Sequence, residues 1–150
     1  MSNKIYPIGI QNFEKIRKGG YCYIDKTAWI YQMVKTGSYY FLSRPRRFGK
    51  SLLLSTLEAY FQGKKKLFEG LAIEKLEKDW FKYPILHIDL NTEKYDTPER
   101  LENKLNRTLV EWEKIYGAES AETSLAMRFE GIIQRACEKE GQSVVILVDE

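Results

Sequence analysis

Gly49-Lys50-Ser51 is the group of residues whose types and spacing point most directly to chemistry. The aromatic and apolar run Tyr39-Tyr40-Phe41-Leu42 before it predicts a buried strand, and the residues after Ser51 have the apolar periodicity of a helix. Backbone N–H groups at the start of a helix are unpaired and carry the positive end of its dipole, so a tight loop there can enclose phosphate oxygens. The pattern predicts a phosphate-binding loop in which Lys50 reaches the terminal phosphates and the Ser51 hydroxyl ligates Mg²⁺.

The predicted loop departs from the general phosphate-loop pattern at its entrance. That pattern asks for glycine where this chain has Arg44. Since a side chain disfavours some backbone angles that glycine permits, Arg44 either adopts an ordinary conformation or imposes a differently shaped turn. The alternative interpretation is a basic turn that caps an ordinary helix. The residues predicted to contact the bound phosphates are Arg44, Pro45, Arg46, Arg47, Phe48, Gly49, Lys50, Ser51 and Leu52.

Two adjacent carboxylates, Asp149 and Glu150, end the chain after the aliphatic run 143–148. Such a run is typical of a parallel strand that is buried on both faces. In a phosphate-loop enzyme, Asp149 would hold the Mg²⁺ shell, usually through water, and Glu150 would polarise the water that attacks the γ-phosphate. Glu150 therefore favours hydrolysis, and the alternative is a strand that ends in two solvated acids.

The remaining patterns predict elements that surround these motifs. A second strand is predicted at 84–90, with His87 in its interior in a core or sheet-face role. Helices are predicted at 10–17 and 26–35 before the loop, and two covering helices are predicted from Thr97 onwards and over 120–138.

Three stretches of the chain resemble the bacterial AAA-ATPase-like family of the P-loop NTPase superfamily. They are PIGIQNFE at 7–14, YIDKT at 23–27 and SRPRRFGKS at 43–51. The last is a hallmark of that family, so the resemblance makes Arg44 expected. It implies an ATP-binding core with ATP and Mg²⁺ as cofactors, in which the loop is the Walker A motif and Asp149-Glu150 is the Walker B motif. In AAA-type ATPases a polar residue at a strand end can orient the catalytic glutamate, which makes Asn91 a candidate to restrain Glu150.

The resemblance also implies the domain organisation. We expect an α/β three-layer sandwich of the P-loop type with a mostly parallel sheet, incomplete at the C-terminus, made of a helical lead-in at 1–38 and a partial ATPase core at 39–150. By analogy, Tyr23 and Ile24 are candidates to contact adenine, with ordinary core packing as the alternative. Relatives often continue into a C-terminal PD-(D/E)XK nuclease-like domain, so the chain is expected to be an N-terminal piece. The strand expected after Glu150 would lie in the middle of the sheet, so we expect a weakened domain. The chain should also bind nucleotide better than it hydrolyses it, because a γ-phosphate sensor and an arginine finger would lie beyond Glu150 or on a neighbouring subunit.

Composition agrees with one globular domain and leaves two other functions open. The chain has 150 residues, is 43% hydrophobic and carries a net charge of +3, and without a signal peptide or long apolar span it is expected in the cytoplasm, with no membrane partner. Basic clusters at 44–50 and 64–66 permit a nucleotide-gated switch or a nucleic-acid-processing module. A small-molecule kinase is the other alternative, and Glu150 counts against it. An arginine finger from a neighbouring subunit would require self-association.

Overall fold

The computed structural model describes residues 3–45 and 47–150. The helices are α1 (Phe13–Lys18), α2 (Thr27–Thr36), α3 (Lys50–Phe61), α4 (Ala72–Leu76), α5 (Pro98–Tyr116) and α6 (Leu125–Glu140), with a 3₁₀ turn at Lys65–Phe68. The strands are β1 (Ile85–Asp89) and β2 (Val145–Asp149). The structure confirms the helices predicted on either side of the loop. It also confirms the strands predicted before Asn91 and at the Asp149 motif.

The chain divides into two compact units, Met1–Lys82 and Tyr83–Glu150. The first contains α1 to α4, and the second contains both strands with α5 and α6. The division predicted at residue 38, between a lead-in and a core, stays a prediction. Within the described residues, no helix combines the length and the apolar character that crossing a bilayer requires.

The first unit is built around a cluster of aromatic rings. Phe13 of α1 is fully buried and lies 4.8 Å from the ring of Phe68, which in turn lies 5.2 Å from Trp80. The ring of Tyr60 meets Trp80 edge to face at 5.7 Å. Aromatic pairs at such distances add to the free energy gained from burial alone. This cluster anchors α3, the helix that begins at the predicted phosphate loop.

The second unit is a two-stranded parallel sheet covered by two helices. β1 pairs with β2 in the register Ile85↔Val145 to Asp89↔Asp149. Leu86 of β1 is fully buried against Leu109 and Trp112 of α5 and Ile132 of α6. α5 begins with Pro98 in its first turn, where a missing N–H costs nothing, and α6 ends at Gly141 in the left-handed conformation. A mixed α/β unit with a parallel sheet is thus confirmed, while the complete three-layer sandwich stays a prediction.

The strand predicted at Tyr39–Leu42 is wrong for this structure. These residues have no strand conformation, and the side chains of Tyr39 and Phe41 are 96% and 83% exposed. In the part of the chain that the structure describes, the sheet contains only β1 and β2, so this segment has no ladder to join. Tyr40 instead turns back to α2, where its hydroxyl donates to the Met33 carbonyl oxygen at 2.6 Å. The pattern had the right residue types for a strand, but a strand forms only where a neighbour accepts its hydrogen bonds.

Candidate functional site

The loop before α3 contains two residues in the left-handed backbone region. Arg47 has φ +66° and Gly49 has φ +81°, and Arg47 is the one non-glycine residue with positive φ in the described ranges. Arg44 therefore keeps an ordinary backbone conformation, and the unusual angle falls three residues later. Turns with left-handed residues direct successive N–H groups to one side, as anion-binding loops do. Arg46 lies outside the described residues.

The amino end of α3 carries the positive end of the helix dipole, and its own first turn contains no acidic residue. Gly49 is the N-cap and has no side chain that could accept an N–H. The Leu53 N–H donates to the Gly49 carbonyl oxygen at 2.9 Å, which closes the first turn. Lys50 and Ser51 lie in this turn and are half-buried. A helix end of this kind favours a bound anion, so the loop fits a phosphate group.

The residues around the loop differ in how much they are exposed. Arg44, Pro45 and Arg47 are exposed, and the Phe48 side chain is 67% exposed. Leu52 is half-buried, and its carbonyl oxygen accepts hydrogen bonds from the hydroxyls of Ser55 and Thr56 at 2.9 and 2.7 Å. The exposed residues leave the loop accessible while the first turns of α3 are held in place.

The N-terminal segment is attached directly to α3. The Phe13 N–H at the start of α1 donates to the Ser55 Oγ at 3.0 Å, and the Asn12 side chain caps α1 through the Lys15 N–H at 3.1 Å. Phe13 and Ile16 of α1 are buried. The segment that contains the PIGIQNFE stretch thus helps to fix the helix that carries Lys50 and Ser51.

The YIDKT stretch has a structural role that spacing alone did not reveal. The Asp25 Oδ1 accepts from the Thr27 N–H at 2.9 Å and from the Thr27 hydroxyl at 2.6 Å, while its Oδ2 accepts from the Ala72 N–H at 2.7 Å. Thr27 is fully buried, and its Oγ1 accepts from the Ile73 N–H at 3.1 Å. Burial raises the pKa of Asp25, but the hydrogen bonds from Thr27 and Ala72 outweigh it and leave the pKa lowered. Asp25 and Thr27 therefore join the start of α2 to the start of α4.

The candidates for adenine contact have different environments. The Tyr23 ring packs edge to face on Phe13 at 5.2 Å, and burial is the main cause that raises the pKa of its hydroxyl. Ile24 is 76% exposed. Tyr23 is thus half-buried and packs on a core residue, Ile24 is accessible, and contact of either with adenine stays a prediction.

The two adjacent carboxylates predicted to act on metal and water lie at the carboxyl end of the sheet in the second unit. Asp149 is the last residue of β2, and Glu150 follows it. Asp149 is half-buried and Glu150 is exposed. The Leu90 N–H donates to the Asp149 carbonyl oxygen at 2.8 Å, which holds the ends of both strands side by side. Oxygen ligands of this kind suit Mg²⁺, which keeps several waters when it binds protein carboxylates.

Asp89 is a residue at this end of the sheet that the sequence patterns did not single out. The register pairs Asp89 of β1 with Asp149 of β2, so the two acidic residues are neighbours across the ladder. The Asp89 Oδ1 accepts from the Asn91 N–H at 2.9 Å, which shapes the turn after β1. Asn91, the predicted partner of Glu150, is exposed in that turn. Aligning the runs ILHID and VILVD would have indicated Asp89, because parallel strands in register end at the same edge.

Comparison with known proteins identifies the family. A sequence model of the AAA-ATPase-like family, described as "Predicted AAA-ATPase", matches residues 7–150. The chain is also similar to an "Uncharacterized protein in vnfD 5'region" of Azotobacter chroococcum mcd 1, with 42% identity over 152 residues that cover 100% of this chain and 29% of that protein. No solved structure matches. With nearly its whole length matched, the chain belongs to the AAA-ATPase-like family.

Proposed function

We propose that this chain binds Mg-ATP and is the nucleotide-binding part of an ATPase. The observation that carries the proposal is the loop with left-handed Arg47 and Gly49 leading into a helix with glycine as its N-cap and no acidic residue in its first turn. Membership of the AAA-ATPase-like family supports nucleotide binding in general. Since the chain spans 29% of its Azotobacter relative, activity of a longer protein is part of the proposal.

The proposed roles follow from the chemistry of each side chain. The N–H groups of the loop and the Lys50 ammonium bind the β- and γ-phosphates, and the Ser51 hydroxyl ligates Mg²⁺. Asp149 holds the water shell of the metal, and Glu150 polarises the attacking water. Asn91 is proposed to restrain Glu150. We also propose that the two-stranded sheet is part of a larger P-loop sandwich, and that relatives of full length carry a nuclease-like domain.

Titration calorimetry with Mg-ATP tests the binding proposal. We expect wild-type protein to bind and Lys50→Ala to lose at least tenfold in affinity, because a lysine in contact with phosphate contributes a charge-assisted interaction. Lys75→Ala is a matched control, since Lys75 is an exposed lysine on α4 in the same unit. Equal affinity in all three proteins would contradict the assignment of the loop.

Product analysis distinguishes hydrolysis from phosphate transfer. Glu150 favours water as the acceptor, so released phosphate is the expected product in any preparation that turns ATP over. Glu150→Gln should then lower turnover and leave the affinity for Mg-ATP unchanged. Transfer to an added acceptor without loss in Glu150→Gln would instead favour a kinase.

A further inference from the structure

The charges of the chain are distributed very unevenly between its two units. The first unit contains 16 lysines and arginines against 7 aspartates and glutamates, and the second contains 8 against 14. The small net charge of +3 is therefore the sum of a strongly basic unit and an acidic unit. A basic unit of this kind attracts polyanions over distances comparable to the Debye length.

Two segments that are distant in sequence meet to form one basic surface in the first unit. The Arg17 guanidinium of α1 donates to the Leu67 carbonyl oxygen at 2.7 Å and to the Glu69 carbonyl oxygen at 2.5 Å. These bonds fix α1 against the 3₁₀ turn at Lys65–Phe68. We name as the lysine surface the cations that this contact assembles, Arg17, Lys18, Lys64, Lys65 and Lys66.

The lysine surface keeps a marked excess of positive charge. The Glu14 carboxylate is shared by the ammonium groups of Lys18 at 2.8 Å and Lys64 at 3.1 Å. Hydrogen bonds from Lys18 and then Lys64 lower the pKa of Glu14, so this carboxylate stays ionised at neutral pH. Lys65 and Lys66 are exposed, and the Lys18 side chain is 68% exposed. In the segments 13–18 and 64–69, six cations stand against the two carboxylates of Glu14 and Glu69.

The lysine surface is separate from the phosphate loop. Lys50 begins α3, whereas Lys64 follows its last residue, Phe61. A helix of 12 residues is about 18 Å long, so the two basic groups lie near opposite ends of α3. A nucleotide bound to the loop therefore leaves the lysine surface available to a second anion.

We propose that the lysine surface binds the phosphodiester backbone of nucleic acid. Lysine ammonium groups act as point charges that pair with phosphates, and an array of them favours a ligand with regularly repeated phosphates over a single anion. Contacts with phosphates carry no information about base identity, so binding is independent of sequence. The interaction does not rest on the proposed nucleotide site and occurs with or without ATP.

Fluorescence anisotropy with a labelled 20-base-pair duplex, and with one of its single strands, tests this proposal across salt concentrations. The triple variant Lys18→Ala, Lys65→Ala, Lys66→Ala should weaken binding at least tenfold. It should also lower the slope of log affinity against log salt by about 2 to 3, since each phosphate neutralised on duplex DNA contributes about 0.9. The matched control removes three exposed lysines elsewhere in the same unit, with Lys75→Ala, Lys78→Ala, Lys82→Ala, and should keep most of the affinity. Relative affinity for duplex and single strand shows which form the surface prefers.

Several results would overturn the proposal. Absence of binding at low salt, or an equal loss in both triple variants with thermal unfolding unchanged, would show that no specific surface exists. Tighter binding to phosphatidylserine vesicles than to either nucleic acid, lost in the first triple variant, would assign the surface to a membrane. Lys50→Ala separates the two proposals, because it should weaken nucleotide binding at least tenfold and retain nucleic-acid binding.

Discussion

Arg47 and Gly49 adopt the backbone angles on which the loop depends. The left-handed angle at Gly49 was predictable from the Gly-Lys-Ser pattern, since that glycine is needed for its backbone freedom. The angle at Arg47 was not, because arginine has no special tendency to adopt it. The pairing of Asp89 with Asp149 was also missed, since it depends on the register of two strands that are about 60 residues apart.

Gly49→Ala should destabilise the protein by about 1–2 kcal/mol and weaken Mg-ATP binding. A Cβ at this position meets nothing within 4 Å, so the cost comes from the φ of +81° and not from a clash. Gly141→Ala is the control, because Gly141 has φ +67° and equally open surroundings at the end of α6. Urea unfolding should show a similar cost in both variants, whereas calorimetry should show weaker nucleotide binding in Gly49→Ala alone.

The elements of the first unit are joined by polar contacts that few sequence patterns indicate. The approximate positions of α1 and α2 followed from apolar periodicity, although α1 begins at Phe13, after its Asn12 cap, and not at residue 10. The polar contacts between helices did not follow from local sequence, because the hydrogen bond from the Ile73 N–H to Thr27 connects positions 46 residues apart. The aromatic run at 39–42 failed as a strand for a related reason, since strand formation depends on a partner that local sequence does not specify.

Thr27→Val should destabilise the protein by about 1–3 kcal/mol, because it leaves the buried Ile73 N–H without its acceptor and removes the hydroxyl donor to Asp25. Thr27→Ser keeps the hydroxyl and loses one methyl, which costs about 1 kcal/mol. Amide hydrogen exchange distinguishes the two variants. Faster exchange of the Ile73 amide is expected in Thr27→Val alone. The same rate in both variants would contradict a stabilising role for the hydrogen bond from the Ile73 N–H to Thr27.

Glu77 gives the first unit a specific sensitivity to acid. This buried carboxylate accepts from the Tyr60 hydroxyl and from the Asp79 N–H at 3.0 Å, and it pairs with Lys35 at 3.1 Å. Burial raises its pKa, but the bonds from Tyr60, Asp79 and Lys35 together outweigh burial and lower it. Because the pKa is lower in the folded chain than in the unfolded one, Glu77 stabilises the fold above the ordinary carboxyl range. That contribution is lost as pH falls through the folded-state pKa.

Urea unfolding between pH 7 and pH 3 measures this contribution. Wild-type stability should fall across the acid range more steeply than that of Glu77→Gln, which has no carboxylate to protonate. Tyr60→Phe removes the donor that contributes most to lowering the pKa of Glu77, so the loss of stability in this variant should begin at a higher pH. Parallel pH profiles for all three proteins would show that Glu77 is not the titrating group.

At the scale of the whole molecule, the candidate functional residues are divided between two units of opposite net charge. The first presents a basic loop and the lysine surface, and the second presents Asp89, Asp149 and Glu150 at the end of a parallel sheet. The α/β class and the order of the motifs were predictable, because each motif lies next to its own strand or helix in sequence. The division after Lys82 was not predictable, because it reflects contacts summed over the chain.

Chemical-shift mapping of ¹⁵N-labelled protein during titration with Mg-ATP tests the central claim most directly, and a chain of 17.7 kDa is suited to it. The proposal predicts that the largest and saturable shifts fall on the amides of Arg47, Phe48, Gly49, Lys50 and Ser51, whose N–H groups would hold the phosphates. Shifts that fall instead on the amides of Lys64, Lys65 and Lys66, with the loop unchanged, would contradict the assignment of the nucleotide site.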